Sequence, residues 1–92
     1  MKKVVRIYFR GTVQGIFFRQ FIKEHADKRN LKGFARNLED GRVEAFLQGE
    51  KEMVDEMIEI CRQGPRHSQI KNIEIKEDKW QDDFKDFKIL RF

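Results

Sequence analysis

The stretch Phe34-Ala35-Arg36-Asn37-Leu38-Glu39-Asp40-Gly41-Arg42-Val43-Glu44-Ala45-Phe46-Leu47-Gln48 stands near the middle of the chain and decides how the rest is arranged. Asp-Gly between two extended segments is a strong short-range hairpin signal, because glycine accepts the positive φ that such a turn requires. Strands are therefore predicted over residues 34–38 and 42–48. In the return strand Val43, Ala45 and Leu47 face one way, and Glu44, Phe46 and Gln48 the other.

Each side of this hairpin carries a helical pattern and then a strand. Upstream, Phe18, Phe21, Ile22, His25 and Ala26 recur at three- and four-residue spacing, which predicts a helix over residues 17–30. Before it, Val5, Ile7 and Phe9 alternate with Arg6, Tyr8 and Arg10, the pattern of a half-buried strand over residues 4–10 that Gly11 ends. Downstream, Met53, Val54, Met57, Ile58 and Cys61 form the stripe of a second helix over residues 50–63, and Gly64-Pro65 stops it. Residues 69–76 read as a strand in which Ile70 is out of phase with Ile73 and Ile75, so a bulge is expected. An acidic connection over 77–83 leads to a closing strand within residues 84–92, with Phe87 and Ile89 turned inward.

The order strand, helix, strand, strand, helix, strand predicts an α+β fold, a ferredoxin-like βαββαβ sandwich with two helices on one face of an antiparallel sheet. That fold serves many unrelated functions, so function has to be read from a site.

Bulk properties narrow the field. Ninety-two residues suffice for one domain over 1–92, burying roughly 60–65% of the unfolded surface. Charged residues make up 39% of the chain, above the usual quarter, which favours a surface dense in ion pairs and hints at a heat-adapted source. The net charge of +4 is spread along the chain, which suits an anionic small molecule without demanding nucleic acid. The lone Cys61 excludes an intrachain disulfide and reads as a core thiol. Met-Lys-Lys is followed by no apolar h-region, and no apolar run reaches the ~20 residues of a membrane span. A cytoplasmic monomer is expected, with no membrane partner.

The chemistry concentrates in Gly11-Thr12-Val13-Gln14-Gly15-Ile16-Phe17-Phe18-Arg19, which leaves a strand, turns on two glycines and enters a helix. The first N–H groups of a helix lack intrahelical partners, and with the dipole they attract an anion. Arg19 in the first turn can add a guanidinium fork. Gly-Lys-Ser/Thr does not follow, so this is no Walker loop. By itself the stretch reads more readily as a strand-to-helix turn bearing a surface arginine.

Residues 11–19 resemble the acylphosphatase pattern G-x-V-Q-G-V-x-F-R, with Ile16 in place of Val. Residues 33–44 are similar to a second stretch of that family, G-W-V-x-N-x-x-D-G-x-V-E, with Phe34 and Ala35 replacing Trp and Val. The Gly64-Pro65 stop and the closing Phe87 and Ile89 match too, so the likeness spans essentially the whole chain. The resemblance implies hydrolysis of a carboxyl phosphate to a carboxylate and inorganic phosphate, with no metal and no cofactor. It assigns the phosphoryl group to the loop Val13, Gln14, Gly15, Ile16, Phe17, Phe18 and Arg19, and the positioning of water to Asn37. Inorganic phosphate or sulfate is then expected to compete.

Other residues read more plainly. His25 sits at a core edge, His67 in a solvated loop, and the two histidines with Cys61 show no metal-ligand spacing. Asp78, Asp82, Asp83 and Asp86 read as a solvated run, and Trp80 as a possible cap of the sheet edge. An RNA-binding reading rests on Lys32-Gly33-Phe34-Ala35, half of an RNP1 pattern, but Arg36-Asn37-Leu38 breaks it and the segment falls after the first helix. A non-catalytic domain of the same shape, as in larger carbamoyl-transfer proteins, is disfavoured because Arg19 and Asn37 are both present.

Overall fold

The computed structural model describes residues 1–13, 16–66 and 68–91. Gln14 and Gly15 of the expected phosphate loop, His67 and Phe92 lie outside the described residues. The elements are β1 (Lys2–Thr12), α1 (Ile16–Lys28), β2 (Lys32–Asn37), β3 (Val43–Glu50), α2 (Lys51–Gln63), β4 (Gln69–Glu77) and β5 (Phe87–Ile89).

Strand order in the sheet is β4-β1-β3-β2-β5. α1 thus carries the chain from β1 over β3 to β2, and α2 carries it from β3 over β1 to β4, the two crossed βαβ units of the ferredoxin-like fold. Four strands pair antiparallel, as expected; β5 adds a parallel edge along β2, matching Ala35 with Ile89.

Pleat alternation delivers one side of the sheet to the helices. Ile7, Phe9, Val43, Ala45 and Leu47 are sealed there against Ile22 and Ala26 of α1 and Val54 and Met57 of α2. Burying residues of this kind contributes roughly 1.5–3 kcal/mol for each large aliphatic or aromatic side chain. Cys61 packs in the same layer, and burial pushes its thiol up to about 12, as befits a core residue.

The bulge anticipated from Ile70 is present. Arg10 pairs with Asn72 and Gly11 with Ile70, which leaves Lys71 as the extra residue. The insertion returns Ile70 to the face of Ile73 and Ile75, and all three pack on the core. Gly11 does not end β1, contrary to the sequence reading; it stays in register opposite the bulge with φ 130°. A Cβ there would collide with the Gln69 carbonyl, so only glycine lets β4 approach this closely.

The opposite face of the sheet is covered as well. Phe34 stacks on Phe46 with centroids 5.8 Å apart, and Phe84 from the β4–β5 connection closes over both. Gln48 donates from Nε2 to the Gln81 carbonyl at 2.7 Å and accepts the Gln81 N–H at 2.9 Å, tying that connection down. Asp78 is not simply solvated, as its place in an acidic run implied, because Arg6 Nε donates to it at 2.8 Å. With Phe46 fully buried, the aromatic surface on which RNA bases would stack is occupied by the protein itself.

Glu44 lies within this second layer and accepts from Arg6 Nη1 at 2.9 Å and from Arg36 Nε. Burial alone would raise its carboxyl, but hydrogen bonds from Arg6, Arg36 and Tyr8 outweigh that and hold it below the ordinary glutamate value of 4.5. A depressed folded value means the contribution is complete above the unfolded value and is lost as pH falls through the folded one. Glu44→Gln is therefore expected to destabilise the protein by about 1–3 kcal/mol at pH 7 and to flatten the acid limb of stability below about pH 4.5. Urea unfolding from pH 2 to 7 measures both; an unchanged acid limb would remove Glu44 from the account.

Candidate active site

One end of β2 brings together three parts of the chain. β3 pairs with β2 as far as Asn37 opposite Val43, and the hairpin then turns through Glu39, Asp40 and Gly41. The Leu38 N–H donates to the Arg42 carbonyl at 2.7 Å, and the Gly41 N–H to the Leu38 carbonyl at 3.1 Å. Gly41 takes φ 95°, the conformation for which Asp-Gly is suited. Asp40 accepts from the Arg42 backbone N–H and from Arg42 Nε, at 3.1 and 2.8 Å, so the turn that presents Asn37 is held at both ends.

The second part is the start of α1. Val13 and Phe18 are buried, with Phe18 edge-on to Phe9 at 5.0 Å, so their side chains anchor the loop in the core. The backbone N–H groups of Ile16, Phe17 and Phe18 are the first-turn donors of α1. The first turn of α1 holds no acidic residue that would neutralise its positive end. The Phe17 ring is 87% exposed.

The third part is the chain beyond β5. Leu90 donates its N–H to the Ala35 carbonyl at 2.9 Å, which extends the parallel pairing and sets Leu90 and Arg91 beside the end of β2. Arg19 Nη1 reaches the Leu90 carbonyl at 3.4 Å.

Between these parts is a cleft of ≈ 690 Å³, lined by Arg19 of α1, by Arg36, Asn37, Leu38 and Glu39 of the hairpin, and by Leu90 and Arg91. The two side chains singled out in the sequence, 18 positions apart, thus share one cavity. Asn37 Oδ1 is buried in the fold and has no hydrogen-bond partner among the described residues. Unpaired buried acceptors are rare and costly, which marks this amide among the described residues of the cleft lining. Guanidiniums outnumber carboxylates along the lining, which makes the cavity a receptor for anions.

Sequence reasoning missed Arg36, Leu38, Glu39, Leu90 and Arg91. Glu39 is the carboxylate among them. Leu90 and Arg91 were hidden because only the parallel pairing of β5 brings them to β2. His25 stays at the core edge, its ring 4.6 Å from Phe21, away from the cleft lining. Among the described residues no three His, Cys, Asp or Glu side chains converge in the manner of a metal site, and no helix is long and apolar enough to cross a membrane.

A family model for acylphosphatases matches residues 5–89. The chain belongs to the acylphosphatase family. Acylphosphatase from Rubrobacter xylanophilus is 45% identical over 76 residues, covering 83% of this chain and 69% of that protein. Acylphosphatase from Syntrophus aciditrophicus is 40% identical over 90 residues, covering 98% and 94%. The crystal structure of Bacillus subtilis acylphosphatase superposes with a TM-score of 0.90 at 33% identity, covering 99% of this chain and all of that one. Full-length HypF contains a similar unit, with a TM-score of 0.85, in 12% of its chain. Membership of an enzyme family, expected from the two motifs, stands on these likenesses, as does the ferredoxin-like architecture.

Proposed function

We propose that this acylphosphatase-like domain, taken as residues 1–92, hydrolyses small acyl phosphates in the cleft between Arg19 and Asn37. The loop Val13–Arg19 holds the phosphoryl group through backbone N–H groups, and Arg19 binds two of its oxygens with a guanidinium fork. Asn37 orients a water through its side-chain amide, which offers an acceptor and two donors. The observation that carries this reading is that Asn37, whose Oδ1 has no hydrogen-bond partner among the described residues, lines the same cleft as Arg19.

The reaction needs little more. The water oxygen attacks phosphorus in line, the bond to the carboxylate oxygen breaks, and its electron pair leaves with the carboxylate. The water's proton passes to a phosphoryl oxygen, giving inorganic phosphate. A carboxylate is a stable anion at neutral pH, its conjugate acid titrating near 4, so general-acid help to the leaving group is dispensable. Phosphoryl transfer has a loose transition state in which positioning and charge stabilisation dominate. A preorganised donor of the oxyanion-hole type is worth ~3–4 kcal/mol, and Arg19 with the loop supplies several.

This reading makes the protein a metal-independent, cytoplasmic monomer that inorganic phosphate or sulfate inhibits by competition. The purified protein is expected to hydrolyse benzoyl phosphate at the same rate with and without EDTA. Activity that appeared only on adding a divalent metal would overturn the mechanism.

A further inference from the structure

Glu44 is the one carboxylate buried among the described residues, and the proposed reaction makes no use of it. Taking a carboxylate out of water is costly, and even well-paired buried ions often add little net stability over apolar packing of the same volume. Its presence points to a geometric task, and its partners indicate which one. Arg36 stands directly opposite Glu44 in the β2–β3 ladder, and Asn37 opposite Val43 forms the next and last rung before the turn. Arg36 Nε donates to Glu44 Oε1, while Arg6 Nη1 donates to Oε2 at 2.9 Å. Arg6 is itself held by Asp78, at 2.8 Å through Nε, and lies over the Phe46 ring at 5.1 Å. The Glu44 carboxylate is thus fixed from β1, and Arg36 is the member of this network that lines the cleft beside Asn37.

We propose that Glu44 is a positioning residue: by clamping Arg36 across the last rungs of the hairpin, it fixes the end of β2 and so the angle at which the Asn37 amide holds the attacking water. This rests on the reading of Asn37 as the residue that orients the water. Glu44 does not line the cleft; it acts through Arg36 and the backbone that joins Arg36 to Asn37. Alignment for attack is steep in distance, a misplacement of ~1 Å costing ~10²-fold, so a smaller shift of the strand end is felt in turnover. A purely electrostatic role has the opposite sign. Deleting a negative charge behind an anion site strengthens the hold on phosphate, which lowers KM without lowering kcat.

The test measures kcat, KM and inhibition by inorganic phosphate, with benzoyl phosphate as substrate, on the wild type, Glu44→Gln, Asn37→Ala and the double variant. All are assayed at a temperature where circular dichroism shows them folded. Glu44→Gln is expected to lower kcat by about tenfold while phosphate inhibition changes less than about twofold. In the Asn37→Ala background the same substitution should change kcat by no more than about twofold, because the residue through which Glu44 acts is gone. Arg36→Gln breaks the clamp from its more exposed end and should show the same dependence on Asn37, and Arg36→Lys, which keeps a cation for Glu44, should retain most of kcat. These two variants carry the test if Glu44→Gln does not fold. An unchanged kcat in Glu44→Gln, a fall matched by weaker phosphate inhibition, or losses that multiply with Asn37→Ala would overturn the inference while leaving acyl phosphate hydrolysis in place. An Asn37→Ala protein with intact kcat, or a wild type that does not turn over benzoyl phosphate, would overturn the underlying reading and the inference together.

Discussion

Arg19→Gln is expected to lower kcat/KM for benzoyl phosphate by roughly 10²–10⁴-fold and to weaken inhibition by inorganic phosphate in parallel. Arg19 is the residue of α1 that lines the cleft, and in the proposed mechanism both the ground-state phosphate and the transition state present oxygens to its guanidinium. A glutamine retains hydrogen-bonding capacity without the charge or the fork. Arg19→Lys restores the charge but not the two parallel donors, so it should recover activity only in part. The side chain also donates to the Leu90 carbonyl, at 3.4 Å, a contact whose loss should cost no more than about 1 kcal/mol. Thermal unfolding of the variant therefore separates the two roles. A large fall in Tm together with intact phosphate inhibition would show that Arg19 braces the β5 end rather than binding phosphate.

Asn37→Ala is expected to behave differently in both activity and stability. If Asn37 holds the nucleophile, kcat falls by roughly 10²–10³-fold while the inhibition constant for phosphate changes only a few-fold, because the anion is bound elsewhere. Parallel losses in kcat and phosphate binding would refute the water-positioning role. Stability supplies an independent check. Asn37 Oδ1 is buried and unpartnered among the described residues, and such an acceptor costs about 1–3 kcal/mol of desolvation without return. Removing it should leave Tm unchanged or raise it by several degrees, since ~1 kcal/mol shifts a domain of this size by about 4–8 °C. An inactive but stabler Asn37→Ala protein is the signature of a residue kept for chemistry at the expense of the fold.

Much of this arrangement was legible along the chain. Alternation in Val5, Ile7 and Phe9 and the three-and-four spacing of Phe18, Ile22 and Ala26 are local consequences of strand and helix geometry. Asp40-Gly41 forced the hairpin for an equally local reason, and Ile70 betrayed a bulge because one residue out of phase cannot otherwise reach the core. Arg19 and Asn37 are legible from the two motifs alone.

Three features could come only from tertiary structure. Gly11 looked like a strand end but is required by the approach of Gln69, a neighbour 58 positions away. Glu44, Phe46 and Gln48 read as the outer face of a strand, yet the β4–β5 connection covers them with Phe84 and Gln81 and pairs Glu44 with Arg6 and Arg36. The lining of the cleft depends on β5 running parallel to β2, which sets Leu90 and Arg91 beside a hairpin about fifty residues earlier.

The sequence by itself thus determined the elements, their order and the two motif residues, because periodicity and turn chemistry act between near neighbours. Only the tertiary structure decided what surrounds those residues: an Asn37 oxygen with no partner among the described residues, and a shared cleft that Arg36, Glu39 and Arg91 also line. Both are properties of distant segments meeting in space, and no spacing along the chain encodes them.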